Sequence, residues 1–159
     1  YRSYGLEAGA TATLLNGLEV TGGLSVIQSK LVNVTPQSIA AGAGEGNKVP
    51  QVPAFSANIG LEHTFSAQQL GVPGAFKATV NYKYVGTRYS DVANAGKLDP
   101  YNLVNAKLGW QNDRMNLYVF ANNLLDERPV YYAVPITSGA SAAYVGRGRV
   151  FGLGLSTQW

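Results

Sequence analysis

The sequence predicts an all-β fold, an antiparallel transmembrane β-barrel of which this chain supplies about seven strands. Three observations predict it. Apolar and polar residues alternate with a period of two through segments most of which run about 11 to 14 residues, the links between segments alternate between short turns and long loops, and only 13% of residues are charged. A period of two puts successive side chains on opposite faces of a strand. Such segments outrun the roughly 5 or 6 residues of a soluble strand and suffice to cross a bilayer at a tilt, for which about 9 to 11 are enough. The charged share is about half that of a soluble domain.

The elements follow in chain order. Tyr4, Leu6, Ala8, Ala10, Ala12 and Leu14 alternate with Gly5, Glu7, Gly9, Thr11 and Thr13, and Asn16-Gly17 then supplies a two-residue hairpin turn. Leu18, Val20, Gly22, Leu24 and Val26 alternate with Glu19, Thr21, Gly23 and Ser25, completing the hairpin. Residues 32–52 lose the alternation and gather Gly and Pro, which reads as a long loop. Phe55, Ala57, Ile59, Leu61 and Phe65 resume it against Ser56, Asn58, Gly60, Glu62 and Thr64.

After a moderate connection at 66–75, Phe76, Ala78, Val80, Tyr82 and Tyr84 oppose Lys77, Thr79, Asn81 and Lys83. Residues 89–100 form a polar loop. Val104, Ala106, Leu108 and Trp110 then oppose Leu103, Asn105, Lys107 and Gly109, and a short turn at 111–113 leads to Met115, Leu117, Val119 and Ala121 against Asn116, Tyr118, Phe120 and Asn122. Residues 126–146 read as another long loop, and GRGRVFGLGLSTQW carries the last strand, with Phe151, Leu153 and Leu155 on one face, Thr157 a polar departure, and Trp159 at the end. Short turns fall on one rim and long loops on the other, with the C-terminus on the short-turn rim. That is the layout of an outer-membrane barrel.

Composition narrows the function. The net charge of +3 comes from scattered Lys and Arg with no phosphate-tracking run, so no nucleic-acid partner is expected. Cysteine is absent, which removes thiolate metal sites and cysteine nucleophiles. No apolar run reaches the roughly 18 residues of a membrane helix, a test a barrel escapes through its alternation. His63 is the sole histidine, and a metal site needs several convergent ligands. No catalytic set, nucleophile elbow or phosphate-binding loop is present, so neither catalytic residues nor a cofactor is expected. Glu7, Glu19, Glu62, Lys77, Lys83 and Lys107 fall on the polar face and are assigned to a hydrated wall.

A sheet in hydrocarbon has no water to satisfy its edges and must close on itself. Seven antiparallel strands cannot do so with antiparallel closure, and bacterial single-chain barrels have even strand counts. The sequence is therefore expected to be the C-terminal portion of a larger barrel, and its opening on Tyr1 rather than Met fits processing or truncation.

At YNLVNAKLGW, MNLYVFANNLLDERPVY and the closing GRGRVFGLGLSTQW, the chain resembles the C-terminal part of TonB-dependent outer-membrane receptors. The family's Asn-Leu-aromatic-Asp element is met by Asn123, Leu124 and Asp126, with Leu125 in place of the aromatic. Its Gly-Arg-Pro-Arg element is met by Gly146, Arg147 and Arg149, with Gly148 in place of Pro. Residues 5–7 and VPQVPAFSANIGLEHTF are similar to preceding strands of the family, so the resemblance covers nearly the whole chain.

The resemblance implies a 22-stranded barrel of the bacterial outer membrane. A plug domain and the coupling segment that meets TonB would lie upstream of residues 1–159, which supply only barrel wall. It implies a receptor and transporter for ferric siderophores, not an enzyme; cobalamin or a saccharide is the alternative cargo, and a soluble β-sandwich binding module the alternative fold. Phe151, Leu153, Leu155 and Trp159 would form the signal read by the barrel-assembly machinery. Loop tyrosines Tyr89, Tyr131, Tyr132 and Tyr144 are the candidates for ligand capture, since each joins a large ring to a polar tip, with anchoring at the membrane interface the equal alternative. Arg147 and Arg149 are placed to meet outer-membrane lipid and lipopolysaccharide.

Overall fold

A computed structural model describes residues 1–137 and 140–157. Its strands are β1 (Arg2–Leu15), β2 (Leu18–Lys30), β3 (Phe55–Ser66), β4 (Ala75–Val85), β5 (Arg88–Tyr89), β6 (Lys97–Leu98), β7 (Tyr101–Gln111), β8 (Met115–Asn122), β9 (Val130–Thr137), β10 (Ala140–Val145) and β11 (Val150–Thr157), with one short helix, α1 (Pro36–Ala40). Seven of the strands form one sheet in the order β1-β2-β3-β4-β7-β8-β11, every neighbour antiparallel.

Among the described residues the register puts the predicted apolar residues on one face, apart from Leu14, which falls in a register shift between Thr13 and Leu15. One row of partners runs Ala12, Val20, Leu61, Val80, Ala106, Ala121, Phe151 across the seven strands. The row beside it runs Thr13, Glu19, Glu62, Thr79, Lys107, Phe120, Gly152 and belongs to the opposite face. A slip of one residue would exchange the faces, so the agreement beyond the single irregularity at Leu14 fixes the register strongly.

The apolar face is bare. Leu6, Leu24, Ile59, Leu108, Val119 and Leu155 are all exposed, and Phe151 and Leu153 reach 68% and 74% of full exposure. Among the described residues, no second sheet or helix covers it. A sandwich would bury that face against a partner sheet about 10 Å away, so the sandwich alternative lacks its second layer.

Aromatics mark both margins of this face. Near the short-turn rim His63 stacks on Phe65 and Phe65 on Phe76, with centroids 5.5 and 5.4 Å apart, and Trp110 pairs with Phe76 in register while its indole donates to the Pro73 carbonyl at 3.0 Å. Near the long-loop rim Phe55 meets Tyr84 at 5.8 Å. Ten residues separate Phe55 from Phe65 on β3. At about 3.3 Å each, and with a strand tilt of roughly 40°, they span about 25 Å of height, the thickness of the apolar band of an outer-membrane barrel.

The connections keep the expected alternation. Asn16-Gly17 joins β1 to β2, with Gly17 at φ 79 and packed so closely on the Thr64 carbonyl that a Cβ has no room. A 3-10 turn at Ala67–Leu70 opens the β3–β4 link, capped by Ser66 and ended by Gly71 at φ 75. The β7–β8 turn is held by Asn112, whose side-chain oxygen accepts the amides of Arg114 and Met115 at 2.9 and 2.8 Å. All three lie on one rim with the end of β11.

The long connections hold more structure than the sequence reading gave them. Residues 126–146, read as loop, contain the β9–β10 hairpin; residues 89–100 carry part of the β5–β6 ladder; and 32–52 contain α1. The β9–β10 segment is rich in Val, Tyr and Ala and has no charged side chain between Pro129 and Gly146, which favours a ladder over solvated coil. Pro135 and the small residues around it hid this.

Candidate functional site

The long-loop rim is where side chains from distant segments meet. Two reciprocal links join the 31–54 and 86–100 connections: the Lys48 amide donates to Asn94 Oδ1 at 2.6 Å, and Asn94 Nδ2 returns a bond to the Lys48 carbonyl at 2.9 Å. Asn47 Nδ2 adds a bond to the Val92 carbonyl at 2.8 Å. Within the second loop, Asp91 accepts the amides of Gly96 at 2.6 Å and Ala95 at 3.1 Å. Desolvation opposes ionisation of Asp91, but these amides with the Ser90 hydroxyl hold its carboxyl below the usual carboxylate range.

Arg88 is the centre of the rim and is only 5% exposed. Its Nε donates to Gln51 Oε1 at 3.3 Å and its Nη2 to the Val130 and Tyr131 carbonyls at 2.8 and 3.4 Å. Its guanidinium lies 5.1 Å from the Tyr101 ring centroid. Among the described residues this buried cation is met by carbonyl dipoles and a π face instead of a carboxylate, and Nη1 is buried with no partner among them. One side chain thereby ties the 31–54 loop, the 86–100 loop and the β9–β10 hairpin together.

The tyrosines singled out from the sequence occupy this rim unequally. Tyr131 sits edge-on to Tyr101 at 5.6 Å and against Tyr144 at 5.9 Å. Tyr132 and Tyr144 are register partners across the hairpin, and both are exposed. Tyr89 stands on β5, half-buried, with its carbonyl accepting the Gln51 amide at 2.8 Å. Three of the four thus share one hairpin, and Tyr89 lies on the strand next to it through Arg88. Sequence reasoning missed Arg88 and Tyr101, because nothing in VGTRYSD marks an arginine as buried by residues some 40 positions away.

The two motif elements fold onto each other. Asn123, buried and at φ 55, donates through Nδ2 to the Glu127 carbonyl at 2.7 Å and the Arg147 carbonyl at 3.0 Å. Asp126 Oδ1 accepts the Arg149 amide at 2.7 Å, and Arg149 Nη1 donates to the Leu124 carbonyl at 3.2 Å. Together these bonds close the base of the β9–β10 hairpin and set the start of β11. Gly148 fits because a Cβ there would stand 2.7 Å from Asp126 Oδ1.

On the polar face, Glu62 pairs with Lys77 at 2.6 Å and Ser25 donates to Glu7 at 3.2 Å. Lys107 rests 3.8 Å from the Tyr118 ring centroid. Tyr118 and Phe120 lie flat over Gly154 and Gly152 of β11, leaving no space for a Cβ at either glycine. Phe151, Leu153 and Leu155 are on the bare apolar face, and Trp159 lies outside the described residues. Among the described residues no group of His, Asp and Glu is arranged to hold a metal; His63 faces the apolar side against Phe65.

Residues 1–124 match the family model described as TonB dependent receptor-like, beta-barrel. The pesticin receptor of Yersinia pestis is 33% identical over 110 residues, covering 68% of this chain and 16% of that protein. Among solved structures, the ferric yersiniabactin uptake receptor of Yersinia pestis superposes with a TM-score of 0.84 at 27% identity, over 96% of this chain and 23% of that one. The ferric preacinetobactin receptor of Acinetobacter baumannii shares the fold with a TM-score of 0.72 at 18% identity, over 98% of this chain and 22% of that one. The chain spans less than a quarter of the length of each of these relatives. A matched model over most of the sequence, on a sheet whose apolar face is bare, places this chain in the TonB-dependent receptor β-barrel family.

Proposed function

We propose that residues 1–159 are the C-terminal part of the barrel wall of a bacterial outer-membrane receptor that takes up ferric siderophores. The observation that carries this is the seven-stranded sheet with one lipid-length apolar face, in a chain similar to receptors named for ferric yersiniabactin and ferric preacinetobactin. The full wall would have 22 strands. A plug domain and the TonB-contacting segment would belong to the parts of the protein outside this chain. Iron would arrive inside its chelate as cargo, and transport would require no covalent chemistry.

On this reading the long-loop rim faces the medium, and Tyr89, Tyr131, Tyr132 and Tyr144 offer rings to the chelate. Phe151, Leu153, Leu155 and Trp159 would present the assembly machinery with a strand of alternate apolar residues ending in an aromatic. The test is complementation: the full-length gene in a receptor-deficient strain should restore TonB-dependent growth on at least one ferric siderophore in a panel. Growth restored only by cobalamin or a saccharide would move the cargo to that class, and failure to reach the outer membrane would overturn the reading.

A further inference from the structure

We propose that the outer edge of β10 is an interface for one further strand, supplied by the receptor's own wall outside residues 1–159: the rim extension of the barrel strand that closes on β11. The proposal rests on the reading of this chain as barrel wall.

The β9–β10 hairpin repeats above the rim the order of the sheet beneath it. The 86–100 loop springs from β4 and β7, which lie on the side of β8 away from β11. β9 follows β8 and lies against β6 of that loop, so β10, which leads into β11, stands on the other side. Among the described residues β10 pairs with β9 alone, and β11 pairs with β8 alone. The two open edges therefore fall on the same side of the molecule, one above the other.

The composition of the β10 edge suits a covered strand. Ser141, Ala142, Ala143, Tyr144 and Val145 are all exposed, whereas β9 alternates exposed Tyr132 and Val134 with half-buried Tyr131 and Ala133. No charged side chain lies between Pro129 and Gly146, and β10 contains no proline. The register shifts of the hairpin stand at Ala140/Ser141 and Tyr144/Val145 and leave residues 141–144 regular. An edge that stays open is normally blunted by Lys, Pro or a bulge along its length, and one without them offers its N–H and C=O groups to a partner.

The edge below says which partner arrives. In hydrocarbon β11 cannot keep unpaired backbone groups, so another strand of the wall closes on it. This chain spans less than a quarter of its relatives, so the rest of the wall lies outside it. A strand that pairs with β11 from Thr157 up to Val150 reaches the long-loop rim directly beneath the β10 edge. β10 has 6 residues, so an extended continuation of about 20 Å, an ordinary strand length, lines it. The pairing ties Tyr144, and Tyr132 across the hairpin from it, to the segment that completes the barrel mouth.

The test is photo-cross-linking of the full-length receptor in outer membranes. Benzoylphenylalanine replaces Ala143 or Leu155, both exposed, in separate variants, and the joined peptides are mapped by mass spectrometry. Leu155 reports the strand that closes on β11, and Ala143 the segment beside β10. The expected result is two links to one continuous stretch outside residues 1–159, with the Ala143 link on its rim side. Residue-resolved hydrogen exchange reads the pairing itself, because a hairpin with an open edge bonds every second amide of β10 and a covered edge bonds them all. Protection of about tenfold or more is expected at each amide from 141 to 144. A Leu155 link to the rest of the wall without one from Ala143, a link from Ala143 to a second copy of the receptor, or protection at alternate amides alone would overturn the rim pairing. Absence of any Leu155 link outside residues 1–159 would defeat the reading of this chain as barrel wall, and the rim pairing with it.

Discussion

Asp126 and Arg149, 23 residues apart in sequence, are joined by a 2.7 Å hydrogen bond from the Arg149 amide to the Asp126 carboxylate. That amide lowers the pKa of Asp126 most, desolvation opposes it, and the Arg128 and Arg149 guanidiniums add to the lowering. A carboxyl whose pKa is depressed by folding contributes stability above its unfolded pKa and loses it as the pH falls through the folded value. Protonation therefore loosens the start of β11.

The predicted outcome is an acid-dependent loss of amide protection, relative to the intrinsic exchange rate, at residues 124–129 and 146–150 of the full-length receptor, confined to the pH range below the ordinary carboxylate pKa. Asp126→Asn keeps an acceptor and removes the charge, so protection in that segment, taken relative to the intrinsic exchange rate at each pH, should lose its acid response. Hydrogen-exchange mass spectrometry at a series of acidic pH values checks this, and an unchanged acid response in the variant would contradict it.

Arg88 predicts a larger and less local effect. Removing it by Arg88→Ala leaves the Val130 and Tyr131 carbonyls without their donor and the Tyr101 ring without its cation. The loss is about 2 to 4 kcal/mol for such a buried, multiply bonded group. Protection should fall together in the 31–54 loop, the 86–100 loop and the β9–β10 hairpin, while the seven-stranded sheet keeps its protection. Arg88→Lys should behave much like Ala, since an ammonium cannot reproduce the guanidinium's planar spread of donors. A loss confined to one loop would contradict the role of Arg88 as their common tie.

Gly154 predicts an effect on the polar face. A Cβ there collides with the Tyr118 ring, which carries Lys107 at 3.8 Å. Gly154→Val should therefore displace Tyr118 and destabilise the β8–β11 pair by about 1 to 3 kcal/mol in urea unfolding. Tyr118→Ala combined with Gly154→Val should recover part of that loss, a coupling that a double-mutant cycle measures. Additive losses would contradict the contact.

The faces of the sheet were legible in the sequence because alternation is local. The row from Ala12 through Leu61 to Phe151 needs only a period of two in each strand and the short turns that set pairing. The motif elements at Asn123–Asp126 and Gly146–Arg149 were legible as a resemblance, but their bonding to each other was not, since it spans a hairpin the sequence read as loop. Arg88 was illegible for the same reason: its burial is made by three loops that meet only after the sheet forms. Tyr118 and Phe120 fell on the polar face by parity alone. Only the paired glycines of β11 explain how that face accommodates two flat rings.

The central claim is that hydrocarbon wets the apolar face, and accessibility of spin labels tests it most directly. Single cysteines replacing Ile59, Val119 and Leu153 on that face, and Asn81 and Thr79 on the other, would be labelled in the full-length receptor reconstituted in bilayers. The account predicts high collision with dissolved oxygen and little with a water-soluble nickel chelate at the first three sites. At Asn81 and Thr79 it predicts no such preference for oxygen. Nickel access at Ile59, Val119 and Leu153 equal to that on the opposite face would contradict it.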